Sequence, residues 1–181
     1  RDKGATLSTQ TPVLSLLIEG GRCVGVQTLN GPEYADEVVL AAGAWSATLA
    51  ASAGLHRPLI PIRRTLVQTA AHPQSAPHLP WTWIDDVGLY ARPEGEGWML
   101  SGCDETIDPP PLGPGSRGPV ENEPRALLLH KIEHHMPVLS NVRVHTGWTG
   151  LRTFAPDRRP LLGADPELPG LWWAAGLGGF G

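Results

Sequence analysis

The stretch that decides the fold is residues 150–163, GLRTFAPDRRPLLG, with the apolar run LWWAA at 171–175 and the closing GLGGFG at 176–181. A buried strand that ends in a glycine-rich turn lets a backbone approach a flat ligand closely, because glycine has no Cβ. Upstream, Arg152 offers a planar fork of donors that matches a carboxylate. This segment predicts a ligand shelf with a cation beside it, and the alternative is a flexible glycine-rich tail.

A second stretch of small residues, VVLAAGAWS at 38–46, favours the same kind of site. A continuous apolar run suits a strand that is buried on both faces, as in a parallel sheet. After it, Gly43 lets the chain turn sharply, and Ser46 can cap a helix over 47–53 that ends at Gly54. A strand, a tight turn and a helix N-terminus together predict a phosphate-binding arrangement.

Both stretches, in this order, resemble signature segments of the D-amino-acid oxidase-like FAD-dependent oxidoreductases. That family includes glycine oxidase, sarcosine oxidase and D-amino-acid dehydrogenases. The resemblance implies FAD as the cofactor, a small amine or amino acid as the substrate, and oxidation of its C–N bond to the imine by hydride transfer to flavin. Two alternatives stay open: dehydrogenation of an alcohol such as glycerol 3-phosphate, and a non-catalytic module that retains the fold.

The resemblance also implies which residues contact the cofactor. Val13 would contact the adenine through its backbone, and the other implied cofactor-binding residues are Ala42, Gly43, Trp45, Gly176, Gly178, Gly179 and Gly181. Arg152 is the candidate clamp for a substrate carboxylate, with an ion pair to Asp157 as its alternative. Tyr90 and Arg92 alternate with core positions of a strand, so one or both face the substrate, and the alternative for each is a structural role. The amides near Gly178 and Gly179 would stabilise a negatively charged reduced flavin.

Two departures from the family pattern stand out. The Gly-x-Gly-x-x-Gly loop that holds a dinucleotide pyrophosphate is absent from the sequence, so we expect a longer protein whose upstream segment carries it. In Pro61-Ile62-Arg63-Arg64-Thr65, Arg64 stands where the family usually has glycine. Its neighbour Arg63 is then either near the flavin or an exposed strand arginine.

The order of the predicted strands and helices, with the resemblance, predicts an α+β (mixed α/β) fold. In this fold a partial FAD-binding domain with a β-meander joins an antiparallel-sheet substrate domain. The predicted domains are 1–60, 61–146 and 147–181, the last returning to the FAD-binding domain. Glu19-Gly20-Gly21-Arg22 and Asn30-Gly31-Pro32 predict turns of the meander. The other predicted elements are strands at 5–9, 12–19, 23–29, 62–70, 83–85, 89–92, 98–103 and 142–151 and a helix at 121–136, with a loop over 104–120.

Composition excludes several classes of protein. The 181 residues carry a net charge of -4, which provides no basic surface for nucleic acid. No apolar run reaches the roughly 20 residues of a membrane span, and Cys23 and Cys103 are too few for a disulfide framework, which predicts a cytoplasmic protein. His130 and His134 have chelating spacing, but no upstream carboxylate or cysteine completes a set, so we expect solvent-exposed histidines and no metal.

Overall fold

A computed structural model describes residues 4–110, 118 and 120–179. It divides them into two compact units, one of residues 4–61, 109–110 and 152–179 and the other of residues 62–108, 118 and 120–151. The elements within the described residues are β1 Val13–Glu19, β2 Arg22–Thr28, β3 Gly31–Tyr34, β4 Val38–Leu40, α1 Ser46–Ala51, β5 Ile60–Thr69, β6 Thr82–Ile84, β7 Leu89–Glu94, β8 Gly97–Ser101, α2 Asn122–His135, β9 Val144–Phe154, β10 Leu161–Ala164 and β11 Leu171–Ala175. The mixed helix and sheet class predicted from the sequence is confirmed.

The β-meander of the first unit consists of β1, β2 and β3 in antiparallel order. Glu19 pairs with Arg22 across a two-residue Gly20-Gly21 turn with φ of 56° and 77°, so the predicted hairpin turn is confirmed. The strand predicted at residues 5–9 is wrong, because those residues form no strand. The turn predicted at 30–32 is also misplaced: Pro32 lies in the edge strand β3, where a missing N–H is tolerated.

A second sheet in this unit has the order β10-β11-β4, and β11 and β4 are parallel. One face packs into a core through residues of β4 and β11: Leu40, Leu171, Trp173 and Ala175. The prediction that the apolar run containing β4 is buried on both faces of the sheet is wrong. Val39 is 61% exposed and Trp172 is 43% exposed, because the described residues of this unit cover only one side of the three-stranded sheet.

The helix that follows β4 begins differently from the prediction. A 3-10 helix, Gly43–Trp45, leads directly into α1, so Trp45 already has helical dihedral angles at the N-cap position. A serine cap needs an extended N-cap residue, which is absent here, and Ser46 is instead the first residue of the helix. The Ser46 hydroxyl is buried and has no hydrogen-bond partner among the described residues.

The second unit contains a five-stranded sheet of order β6-β7-β8-β5-β9, in which β6, β7, β8 and β5 pair antiparallel. The predicted helix is confirmed as α2, which buries Leu128 and Ile132 in the core of this unit. The adjacent Leu127 is 45% exposed because it lies one residue off the i, i+4 line of Leu128 and Ile132. Neither of these helices has the length and apolarity that a bilayer crossing requires.

Candidate functional site

Two glycine-containing turns leave the same edge of the sheet in the first unit. Because β4 and β11 are parallel neighbours, with Leu40 opposite Trp173, their carboxyl ends point in one direction. The chain turns after β4 at Gly43 (φ 53°) and after β11 at Gly176 (φ 65°) and Gly178 (φ 54°). Ligands of open α/β sheets bind outside the carboxyl ends of the strands. The structure therefore brings the two predicted stretches to one edge, although they are far apart in sequence.

Arg152 lies beside the second of these turns. The Gly178 N–H donates to the Thr153 carbonyl at 3.0 Å, and Phe154 forms an antiparallel bridge with Leu177. A Cβ placed on Gly179 would lie 3.4 Å from the Arg152 Nη1 atom. The end of β9 thus holds the half-buried Arg152 next to the glycine turn.

The guanidinium of Arg152 has no carboxylate within ion-pair distance in the part of the chain that the structure describes. The alternative of an ion pair with Asp157 is therefore wrong. The Asp157 carboxylate instead accepts the backbone N–H of Arg159 at 3.0 Å, which fixes the turn after β9. Arg152 is left with its donors available to an anion.

Phe154 is a site residue that the sequence analysis missed. A Cβ on Gly178 would lie 2.4 Å from Phe154 Cε1, so only glycine fits against this ring. The Arg158 guanidinium lies over the same ring, 5.2 Å from its centroid. The available signal was an aromatic residue two positions after Arg152, on the same face of a strand.

The expected role of the Gly178 amide needs correction. It was predicted to stabilise a reduced cofactor, but it already donates to Thr153. An N–H group has one proton to donate, so this amide is not available to a ligand. Gly179 is the remaining candidate of the two.

The other predicted cofactor residues are in varied settings. Val13 begins β1, pairs with Thr28 and is 38% exposed. Ala42 precedes the 3-10 helix that contains Trp45, and both residues are half-buried. Gly181 lies outside the described residues. Contact of Val13, Ala42 and Trp45 with a cofactor remains a prediction.

Tyr90 belongs to the second unit, where it packs edge-on against Trp83 with ring centroids 6.2 Å apart. Its neighbours Leu89 and Ala91 point to the core and are fully buried, so Tyr90 lies on the opposite face of β7. Arg92, on the same face as Tyr90, pairs with Glu94 at 2.8 Å. A substrate contact for Tyr90 remains a prediction, while Arg92 has a structural partner.

The two adjacent arginines of β5 are both ion-paired within the second unit. Arg63 pairs with the Glu121 carboxylate, and its side chain is only 17% exposed, so it is not the exposed strand arginine of one interpretation. Arg64, which replaces the family's usual glycine, is buried and pairs with Glu105 at 2.8 Å. It also donates to the backbone carbonyl of Asp104.

A buried carboxylate fixes the entry to β11. Asp165 accepts hydrogen bonds from Trp173 Nε1 at 2.8 Å, from Arg57 Nη2 at 2.9 Å and from the backbone N–H groups of Glu167 and Leu168. Burial by itself would raise the pKa of Asp165, but these hydrogen bonds outweigh it and lower the pKa below its usual value. The network was not predicted from the sequence, and it anchors the strand that leads to the glycine turn.

Comparison with known proteins identifies the family to which this chain belongs. The sequence profile described as FAD dependent oxidoreductase matches residues 1–181. The chain belongs to the FAD dependent oxidoreductase family. Among its curated relatives, glycine oxidase of Pseudomonas aeruginosa is 31% identical over 170 residues, which are 94% of this chain and 44% of the relative. The D-amino acid dehydrogenase of Paramagnetospirillum magneticum is 33% identical and is matched by 99% of this chain, over 40% of its own length.

Solved structures with similar folds support the same fold for this chain. The L-proline dehydrogenase of P. horikoshii superposes with a TM-score of 0.80 at 25% identity, covering 98% of this chain and 47% of that one. Glycine oxidase of Geobacillus kaustophilus superposes with a TM-score of 0.74 at 31% identity, covering 96% and 44%. The chain therefore spans less than half the length of the relatives that it matches.

Among the described residues, open space and unpartnered hydroxyl groups lie near the two turns. A Cβ on Gly43 would meet no described atom within 4 Å, so the turn after β4 faces open space. Near the second turn, the Thr153 hydroxyl is buried and lacks a hydrogen-bond partner among the described residues, as does the Ser46 hydroxyl at the first. FAD is the cofactor of the family, and its contact with the small residues of these two turns remains a prediction.

Proposed function

We propose that this chain is part of an FAD-dependent oxidoreductase that oxidises a C–N bond of a small amine or amino acid to the imine. The observation that carries the proposal is the position of two glycine turns at the same edge of the sheet, after the carboxyl ends of β4 and β11, with Arg152 beside one of them. Relatives named glycine oxidase and D-amino acid dehydrogenase support this class of substrate. Bound FAD would supply the acceptor for the hydride.

Arg152 is the proposed clamp for the substrate carboxylate. Its guanidinium is half-buried and lacks a carboxylate partner among the described residues, so a substrate anion would not have to displace an existing ion pair. A guanidinium can bind a carboxylate through two parallel hydrogen bonds, which fixes orientation as well as position. Such a clamp would present the substrate α-carbon in one orientation to the cofactor, and orientation of this kind lowers the barrier by several kcal/mol.

The glycine turns are the proposed cofactor shelf. Gly43 has positive φ and is exposed, and a Cβ there would meet no described atom within 4 Å, so the backbone at this point can approach a planar ring or a phosphate. The predicted contact of Gly176 needs correction, because Gly176 is buried and a Cβ there would lie 3.2 Å from Leu59. The amide of Gly179 is the proposed donor to charge that develops on the reduced cofactor. We further propose that the small-residue segment around Ala42 and Trp45 runs along the ribose and diphosphate, and that Val13 lies near the adenine.

The test uses the full-length protein with FAD bound, and it compares Arg152→Ala, Arg152→Lys and the exposed control Arg159→Ala. A charge-assisted hydrogen bond contributes about 1.5–3 kcal/mol, so Arg152→Ala is expected to raise the apparent KM for glycine, sarcosine or a D-amino acid roughly 10- to 150-fold. Arg152→Lys should recover part of the loss because it keeps the charge but not the fork. Arg159→Ala should leave the KM within about twofold.

Each part of the proposal can fail separately in this assay. Absence of a flavin absorbance spectrum in the purified full-length protein would refute the cofactor assignment. Flavin reduction by glycerol 3-phosphate but by no amine would refute the substrate class. An unchanged KM in Arg152→Ala, with amine turnover intact, would remove the clamp role and leave the rest standing.

A further inference from the structure

The helix α2 carries a cluster of metal-ligating side chains that the proposed function does not use. His130, Glu133 and His134 each present one ligand atom, and these three atoms lie within 4.8 Å of one another. Their i, i+3, i+4 spacing places them on one helix face. The two histidines alone were not expected to bind a metal, but Glu133, between them in sequence, supplies a third ligand. All three side chains are exposed, so water can complete the coordination of an ion.

A hydrogen bond within the cluster orients one of the rings. His134 Nδ1 lies 2.9 Å from the backbone carbonyl oxygen of His130. A carbonyl oxygen can only accept, so in the neutral ring Nδ1 carries the proton and Nε2 has the free lone pair. Histidine ligands of metals characteristically donate their second ring nitrogen to such a carbonyl or to a carboxylate, which fixes the tautomer and the ring orientation.

The charges around the cluster also favour a cation. The Glu133 carboxylate has no cationic side chain within ion-pair distance in the described part of the chain. The nearest lysine in sequence, Lys131, donates its Nζ protons to the carbonyl oxygens of Gly88 and Gly102. That lysine is therefore held away from the exposed face, and the negative charge of Glu133 is available to a metal ion.

We propose that His130, Glu133 and His134 bind one borderline divalent transition-metal ion of the Zn²⁺ type. Two imidazole nitrogens and one carboxylate oxygen form a donor set that Zn²⁺ uses with one or more waters in the open positions. Ions such as Mg²⁺ prefer oxygen ligands and bind such a set poorly. The ion joins two successive turns at the C-terminal end of α2, so binding stabilises that end of the helix. This site does not depend on the proposed oxidoreductase activity.

Isothermal titration of the protein with ZnCl₂ tests the proposal. We expect one equivalent of Zn²⁺ to bind, His134→Ala to abolish that equivalent, and Glu133→Gln to weaken binding. His135→Ala is the matched control, because His135 is exposed on the same helix but lies outside the cluster. Helicity measured by circular dichroism shows whether each variant remains folded, and at saturating Zn²⁺ the wild type and His135→Ala should show a raised Tm.

Three results of the Zn²⁺ titrations would overturn the proposal. They are the absence of a Zn²⁺ equivalent in the wild type, an equal loss of binding in His135→Ala, and full retention of binding in a folded His134→Ala variant. Binding of MgCl₂ as tight as that of ZnCl₂ would also overturn it, because the selectivity rests on the two imidazole nitrogens.

Discussion

Substitution of Gly178 by alanine tests the architecture of the glycine turn. Two penalties apply. An alanine at φ 54° lies in the left-handed region, which costs about 1–2 kcal/mol relative to glycine. Its Cβ would also lie 2.4 Å from Cε1 and 2.8 Å from Cδ1 of Phe154, and forced displacement of a packed ring costs about 1–3 kcal/mol. We therefore expect Gly178→Ala to lower the free energy of unfolding by about 2–5 kcal/mol, measured by urea unfolding.

The neighbouring glycine provides a matched control. A Cβ on Gly179 would meet only the flexible Arg152 guanidinium at 3.4 Å, and Gly179 is not among the positive-φ glycines. Gly179→Ala should therefore change the free energy of unfolding by less than about 1 kcal/mol.

A double-mutant cycle separates the two penalties. Phe154→Ala removes the ring that the new methyl group would strike, so Gly178→Ala should cost about 1–3 kcal/mol less in that background than in the wild type. The left-handed conformation remains, and its share of the penalty should remain with it. If Gly178→Ala proves as mild as Gly179→Ala, or if the cycle gives no coupling with Phe154, the described packing of the turn is refuted.

Two further predictions concern the cores of the two units. Asp165→Asn should destabilise the protein by about 3 kcal/mol at pH 7, because it removes one partner of a buried ion pair and leaves Arg57 partly uncompensated. The lowered pKa of Asp165 means that the wild type has this advantage above the unfolded carboxyl pKa of about 3.9 and loses it as the pH falls below that value, so urea unfolding curves of the two proteins should converge in acid; a constant difference down to pH 2 would contradict the assignment. In the second unit, Leu128→Ala should cost about 2–5 kcal/mol, whereas the exposed neighbour Leu127→Ala should cost less than about 1 kcal/mol. Equal losses for the two leucines, measured by the same method, would show that the buried face of α2 is assigned incorrectly.

Features that depend on local sequence were predicted well. The Gly20-Gly21 hairpin needs only two residues that tolerate positive φ between two strands, and both glycines have it. The helix α2 was found to within one residue at each end, because proline in the first turn and a repeated apolar spacing are local signals. The hairpin and the helix are both formed by residues that are close in the chain, so the neighbouring sequence determines them.

Features that depend on distant contacts were predicted less well. Parallel pairing of β4 with β11 follows from residues far apart in sequence, and only the family resemblance suggested that the two glycine stretches meet. The Asp165 network likewise needs Arg57, whose sequence neighbourhood shows no sign of it. The apolar pattern of β4 suggested burial on both faces, but a pattern cannot tell which face the folded residues cover, and Val39 is exposed. Ser46 fails as a cap because a preceding 3-10 turn sets its dihedral angles.

The distribution of arginine partners is the strongest structural support for the proposed clamp. Arg57, Arg63 and Arg64 are partly or wholly buried, and each has a carboxylate partner that offsets its lost hydration. Arg152 is also half-buried, but in the described chain no carboxylate performs that role. A guanidinium in this situation gains more from binding an anion than one that must first release a partner. Arg152 lies next to the glycine turn that follows β11. Asp165 anchors β11 through Trp173, and the hydrogen bond from Gly178 to Thr153 anchors the turn itself. An anion bound to Arg152 would therefore be held in a fixed position.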